Sequence, residues 1–364
     1  MKKEILSMRQ QWRWHLKKQG CDFNYNAKLS RCYNGEGFYV NNRNKVVEPI
    51  KTWGWDKHWA YGGVLKNNIL PKSNKMGKKE TPLGIFMISY KRIIKSRYTE
   101  DFHLTLYRRN KNDIGKDIIH LKDGREYRWL TNLDFEIFTD LYEIDDLRIE
   151  VKKYFQDYGK LNWDEVIDQA YIDKQNKKYD KVFFESVFYG LNCKKMYDYK
   201  NPVEYNKYKD SIDETGYEYC RSKYVAIALF QTAYLRYEEW QLFKKYKDHI
   251  IYMNTDSIYT DIDIQLEDSP LLGHYHKEYN GQYIYFIRRN AYAILDDNKK
   301  LKESKIGGVL NKFITQQDLK KLYNRKEIKV KTRDEEGNIT DITLQPTFRM
   351  YYFQDKGCNL KYFL

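Results

Sequence analysis

Residues Tyr252-Met253-Asn254-Thr255-Asp256-Ser257 constrain this chain more than any other stretch. An apolar run, Ile250-Ile251-Tyr252-Met253, leads into them, and an alternating run, Ile258-Tyr259-Thr260-Asp261-Ile262, follows. The pattern predicts strand, tight polar turn, strand. A carboxylate at such a tip stands on rigid scaffold and faces outward, which suits metal chemistry. Asn, Thr, Asp and Ser are also ordinary turn formers, so taken alone the stretch reads equally well as a plain hairpin turn.

A second site lies far upstream, at Trp55-Asp56-Lys57-His58-Trp59-Ala60-Tyr61. Together the two stretches resemble two motifs of the family B DNA polymerases, the strand Asp-x-x-Ser-Leu-Tyr-Pro and the hairpin Tyr-x-Asp-Thr-Asp-Ser. Asp56 and Tyr61 keep the spacing of the first, and Tyr252, Thr255, Asp256 and Ser257 keep the second. The likeness is to the protein-primed branch of phages, adenoviruses and linear plasmids, and the order of further segments agrees over nearly the whole chain. It implies an α+β palm-fingers-thumb fold with an antiparallel palm sheet backed by helices. It also implies a division into a lead-in (1–50), a first palm segment (51–79), an insertion resembling terminal-protein region 1 (80–128), palm helices and fingers (129–190), an insertion resembling terminal-protein region 2 (191–222), a second palm segment with the hairpin (223–304) and a thumb (305–364).

Composition is compatible with this. The chain has 364 residues, enough for one large domain or two to three subdomains. Lys plus Arg number 65 against 51 for Asp plus Glu, a formal net charge of +14, which favours a polyanionic partner such as nucleic acid or a membrane surface. No apolar run approaches the ~20 residues of a membrane span, and Met1-Lys2-Lys3-Glu4 lacks the apolar core of a secretory signal. Five scattered cysteines with no CxxC argue against a zinc site or a disulfide framework and fit a reducing, cytoplasmic setting; the family resemblance implies that of a bacterial host cell carrying a phage or mobile element. The 35 tyrosines, interleaved with lysine, suit stacking on bases and neutralising phosphates. An AT-rich genome, whose codons favour Lys, Asn, Tyr and Ile, is the alternative account and the weightier one for the bulk of them.

Along the chain, residues 1–30 read first as a basic helix. Tyr33-Asn34-Gly35-Glu36-Gly37 then enters a strand. This entry resembles the family's Tyr-x-Gly-Gly segment, which touches template, and reads equally as a β-turn. Strand-like runs follow at Leu83 to Tyr90, Phe102 to Arg108 and Ile118 to Leu121. A helix is predicted over Thr131 to Leu141, with Thr131 as cap and Leu133, Ile137, Phe138 and Leu141 on one face. A longer one is predicted from about Trp163 to Gly190, and another from about Lys223 to Tyr246 with Ala228, Leu235, Leu242 and Tyr246 on one stripe. Tyr283 to Leu295 reads as strand, and Ile328 to Leu344 as a hairpin turning at Glu336-Gly337-Asn338.

Nucleotide addition needs two divalent ions about 3.5–4 Å apart, and hard oxygen ligands suit Mg²⁺ or Mn²⁺. Asp56 and Asp256 are the candidate metal ligands, carried on separate strands. Asn254 is the main departure, because the family has Asp there. Its oxygen still coordinates or accepts hydrogen bonds, but one negative charge is lost. Three readings follow: an active enzyme with weaker metal binding, an inactivated relative, or a substitution introduced to silence the enzyme.

The resemblance also assigns other roles. Tyr61 falls where the family stacks a tyrosine under the deoxyribose, and Tyr189 would complete that pocket; Trp59 and Gly62 replace the usual Ser and Pro. Each aromatic also reads as a core residue. The fingers motif is displaced: its Lys lies eight residues before Gly, where Val182 stands before Gly190. Lys181 is one residue further back, about 100° around a helix, and Lys178 and Lys174 lie on earlier turns; together they also read as a solvated basic face. Arg289 stands beside Asn290, where the family has Lys before Tyr292; Lys305 fits the Lys-x-x-Gly segment near the primer end. Tyr33, Gly35, Tyr252, Thr255, Ser257, Arg289, Tyr292 and Lys305 thus form the expected DNA-contacting set. His274 and His276 lack partner ligands at metal spacing and read as surface strand or loop.

The family's exonuclease carries an Asp-x-Glu motif, and only 55 residues precede Asp56. Proofreading is therefore expected to be absent or supplied by a separate chain. The reaction implied is template-directed addition of dNTPs to a DNA primer-template, with initiation on a terminal protein by resemblance only. The rival readings are a catalytically dead, DNA-holding polymerase fold and a template-independent nucleotidyltransferase.

Overall fold

The computed structural model describes residues 13–24, 26, 29, 32, 37–42, 44–45, 48–98, 101–104, 119–120, 125–176, 224–288, 290–306, 309–323, 326–333 and 338–344. Within them, β1 (Tyr39–Asn42), β2 (Ile50–Lys57), helix α1 (Ala60–Asn67), β3 (Phe102–Leu104), helix α2 (Asn132–Leu141), helix α3 (Gln169–Gln175) and helix α4 (Val225–Tyr246) precede β4 (Ile250–Asn254), β5 (Ser257–Thr260), β6 (Tyr275–Arg288), β7 (Ala291–Leu295) and β8 (Leu301–Ile306).

The eight strands form one antiparallel sheet in the order β8-β7-β6-β2-β5-β4-β1-β3. The predicted hairpin is therefore real, and β2, from far upstream, lies between its second strand and β6. A second antiparallel sheet of five strands runs Met76–Gly77, Arg148–Phe155, Gly84–Tyr90, Glu126–Thr131, Ile119–His120. Two of the three strand runs expected over residues 80–128 enter that second sheet. The third, Phe102–Leu104, joins the edge of the main one.

Helix α4 begins with Val225-Ala226-Ile227-Ala228-Leu229-Phe230, all buried. A helix apolar around its circumference must run through a core rather than over one, so the single stripe predicted for it was too narrow. Thr131 caps α2 as expected, its Oγ1 accepting from the Asp134 amide at 2.9 Å. Asp134 then meets Arg236 of α4 in a two-pronged pair, Nε to Oδ1 and Nη2 to Oδ2, each at 2.8 Å, with both side chains fully buried. The pair ties α2 to α4 beneath the sheets.

The helix expected from Trp163 starts instead with a π-helical turn, Asp164–Asp168, and becomes α-helical only over α3. Its continuation lies outside the described residues, as does the second expected insertion. The expected hairpin near the C-terminus is present as Ile328–Arg333 against Ile339–Leu344. Among the described residues no helix is long and apolar enough to cross a membrane.

Candidate active site

Strand pairing brings the two sequence-distant acids together. Ser257 at the start of β5 lies opposite Asp56 of β2, and His276 of β6 lies opposite Asp56 on the other side. Residues in register share a face of a pleated sheet, so Asp56, Ser257 and His276 line up across three strands. Asp256 sits in the turn immediately before Ser257, and its carbonyl accepts from the Lys57 amide at 3.2 Å. The same amide donates to Asp56 Oδ1 at 3.0 Å. One main-chain N–H thus ties both acidic residues, and both stay half-buried rather than sealed.

The hairpin tip is held from the side by the chain that enters β1. Thr255 has φ 64°, unusual for a β-branched residue, and its amide donates to the Phe38 carbonyl at 2.8 Å. A side chain on Gly37 would collide with Thr255, so glycine is required for this close approach. Ser257 Oγ donates back to the Asn254 carbonyl at 3.1 Å. Asn254 ends β4, and its Nδ2 donates to Asn290 Oδ1. Its own Oδ1 is buried and accepts no hydrogen bond.

On the opposite face of β2, Lys57 points toward α4. It pairs with Glu238, lies 3.9 Å from Glu239 and sits over the Tyr275 ring. Tyr275 donates to Glu239 Oε1 at 2.5 Å, while Glu239 Oε2 has no partner. Burial pushes the Glu239 carboxyl up to about 7, against the opposing pull of Lys57. Burial, then the neighbouring Glu239, holds the Tyr275 phenol well above its usual range. A charged cluster therefore underlies the acids.

Several of the other expected contact residues have partners within the fold. Tyr252 is 2% exposed, stacked on Phe286 at 4.9 Å, and its hydroxyl accepts from the Asn290 amide. It has no face left for DNA and acts as core. Tyr292 is half-buried, its hydroxyl 3.1 Å from that of Tyr259 and 3.3 Å from that of Tyr279. Burial pushes its phenol up to about 12. Lys305 lies opposite Tyr292 in register, 3.8 Å from Glu278 and 3.6 Å from Glu303. Tyr61 is half-buried in the first turn of α1, and its carbonyl accepts from Gln231 of α4 at 3.0 Å. Lys174 lies in α3. Tyr33, Gly35, Lys178, Lys181, Tyr189 and Arg289 lie outside the described residues.

His276 corrects an expectation. It lies on a strand, one of the two alternatives expected, but half-buried rather than plain surface: it stacks on His58 with ring centroids 4.0 Å apart, and its Nδ1 is buried without a partner. Lys57, Glu238 and Glu239 were also missed. Their signal was an acid pair flanked by Tyr237 and Trp240 inside a helix otherwise apolar at its start.

Mg²⁺ or Mn²⁺ would meet hard donors here: the Asp56 and Asp256 carboxylates and the unpartnered Asn254 oxygen. Among the described residues no three His, Cys, Asp or Glu side chains form a metal-binding group.

No protein-family model matches this sequence, and no curated protein sequence matches it. Solved structures do. Phi29 DNA polymerase complexed with primer-template DNA and incoming nucleotide substrates aligns with TM-score 0.57 and 18% identity, over 91% of this chain and 65% of that one. The same polymerase complexed with single-stranded DNA aligns with TM-score 0.57 and 17% identity, over 95% and 67%. The chain spans about two thirds of the length of those polymerases. At this identity the likeness establishes architecture, and the architecture is polymerase-like.

Proposed function

We propose that this chain is a template-directed DNA polymerase adding dNTPs to a primer end. The observation that carries this reading is the convergence of Asp56, at the end of β2, and Asp256, 200 positions later in the turn before the neighbouring β5, tied by one amide. In this reading the main sheet is the palm, residues 129–190 supply palm helices and the fingers, and residues 305–364 the thumb. The segments 80–128 and 191–222 are the two insertions that engage a priming protein and the displaced strand.

Asp56, Asp256 and Asn254 would hold Mg²⁺ or Mn²⁺, which when bound activates the primer hydroxyl and neutralises the triphosphate. The chain's own part is positional. The Lys57 amide fixes Asp56 relative to Asp256, and Thr255 and Gly37 fix the hairpin tip. Tyr61 stands five residues beyond Asp56, at the start of α1, where it would lie under the incoming sugar and exclude a 2′-hydroxyl. Lys305 and Tyr292 would face the primer strand. Initiation on a terminal protein follows from the family resemblance.

A second reading has one observation behind it. Asn254 is neutral and engaged with Asn290, which suits a polymerase fold that holds DNA without extending it.

Primer extension with Mg²⁺ or Mn²⁺, comparing the protein with Asp256→Ala, separates the two. Extension complementary to the template, lost in the variant, is the expected result. Duplex binding with no extension supports the DNA-holding reading, and extension indifferent to template overturns both.

A further inference from the structure

The two motif positions where this chain departs most visibly, Asn254 and Asn290, are partners in space. Asn254 Nδ2 donates to Asn290 Oδ1. Asn290 is itself pinned: its φ is 58°, a conformation asparagine tolerates better than most residues. Its amide donates at 3.1 Å to the hydroxyl of buried Tyr252. Tyr252 sits two residues before Asn254 on β4, so the pin and the pinned residue share a strand.

An amide side chain has one donor end and one acceptor end. With Nδ2 committed to Asn290, the Oδ1 of Asn254 is turned the other way, and it is the atom that is buried and unpartnered. A buried unpaired oxygen carries a desolvation cost, which a cation would relieve. The acids nearby supply only two carboxylates, and no third acidic or histidine ligand gathers with them among the described residues.

We propose that Asn290 is a positioning residue that orients the Asn254 amide, so that Asn254 Oδ1 serves as a neutral third oxygen donor for a divalent cation beside Asp56 and Asp256. This rests on the metal-dependent reading of the site but not on polymerisation. The departure at position 254 is then one half of a matched pair.

The test is Mn²⁺ binding to the full chain alone, followed by electron paramagnetic resonance, for wild type, Asn254→Ala, Asn290→Gly, the double variant and Asn290→Asp. Glycine at 290 keeps the positive φ and the amide bonded to Tyr252, removing only the side chain. Outer partners of metal ligands typically account for about 10–100-fold in affinity. The expected result is a weakening of about tenfold in Asn290→Gly, a loss at least as large in Asn254→Ala, and no further loss in the double variant. Asn290→Asp, which keeps an acceptor for Nδ2, binds at least as tightly as wild type. The proposal is overturned if Asn290→Gly binds Mn²⁺ like wild type, if the losses add, or if wild type binds no Mn²⁺. Because the readout needs neither DNA nor nucleotide, its failure is distinct from a failure to extend a primer.

Discussion

The most exposed chemistry in the site rests on groups that never meet solvent. Glu239 is fully buried on α4 and linked through Lys57 to the strand end that carries Asp56. Its carboxyl is raised to about 7, so the folded chain keeps a proton there that the unfolded chain releases near the ordinary value of 4.5. Between those values the native state binds more protons at this group than the unfolded one, and the group's contribution to stability falls as pH rises. The contribution is complete below about pH 4.5 and gone above about pH 7. Glu239→Gln, which mimics the protonated form, should flatten this fall. Scanning calorimetry of both proteins from pH 4.5 to 7.5 checks it; parallel slopes would show that Glu239 titrates as an ordinary carboxylate.

At the scale of elements, α2 and α4 are joined by the buried Asp134–Arg236 pair. Removing one partner strands the other charge in the core, which costs about 3–5 kcal/mol. Asp134→Asn should therefore lower the urea midpoint sharply without changing its slope, and a shift under about 1 kcal/mol would mean that water reaches Arg236. Much at this scale was legible beforehand. The period-two run after Ser257 and the turn residues at 254–257 fixed the hairpin, because strand alternation and turn chemistry are local properties. Thr131 followed by Asp134 fixed the start of α2 for the same reason. What β2 pairs with was not legible from such signals, since register between distant strands depends on which faces become buried. The family resemblance linked Asp56 to Asp256, but it said nothing of Lys57, whose side chain answers to acids on α4. It also misplaced Tyr252, because a tyrosine in a motif carries no label for which face of the sheet it occupies. His276 escaped because its neighbours, His58 and Asp56, lie more than 200 residues away in sequence.

For the whole molecule, the excess of 14 positive charges bears on how the proposed partner is held. If the chain grips a primer-template through phosphates, each neutralised phosphate releases counterions, and affinity falls as a power of salt concentration. Six to ten such contacts correspond to a loss of about 10³–10⁵ between 50 and 200 mM salt. Fluorescence anisotropy with a labelled duplex over that range should give a straight line in log affinity against log salt. A nearly flat line would assign the charge to codon usage alone.

The main sheet also makes the chemistry unusually intolerant of changes in length. Asp56 and Lys57 are consecutive on β2, one facing Ser257 and His276, the other facing the acids of α4. Adding or deleting one residue between Ile50 and Trp55 would exchange their sides if pairing below that point held. A deletion would set Lys57 where Asp56 stands, an ammonium in the place of the carboxylate; an insertion would set Asp56 where Lys57 stands, a carboxylate pressed against Glu238 and Glu239. Point substitutions along this strand can be graded in their effects, whereas a single-codon deletion inverts the electrostatic sign on one side of it and a single-codon insertion inverts it on the other.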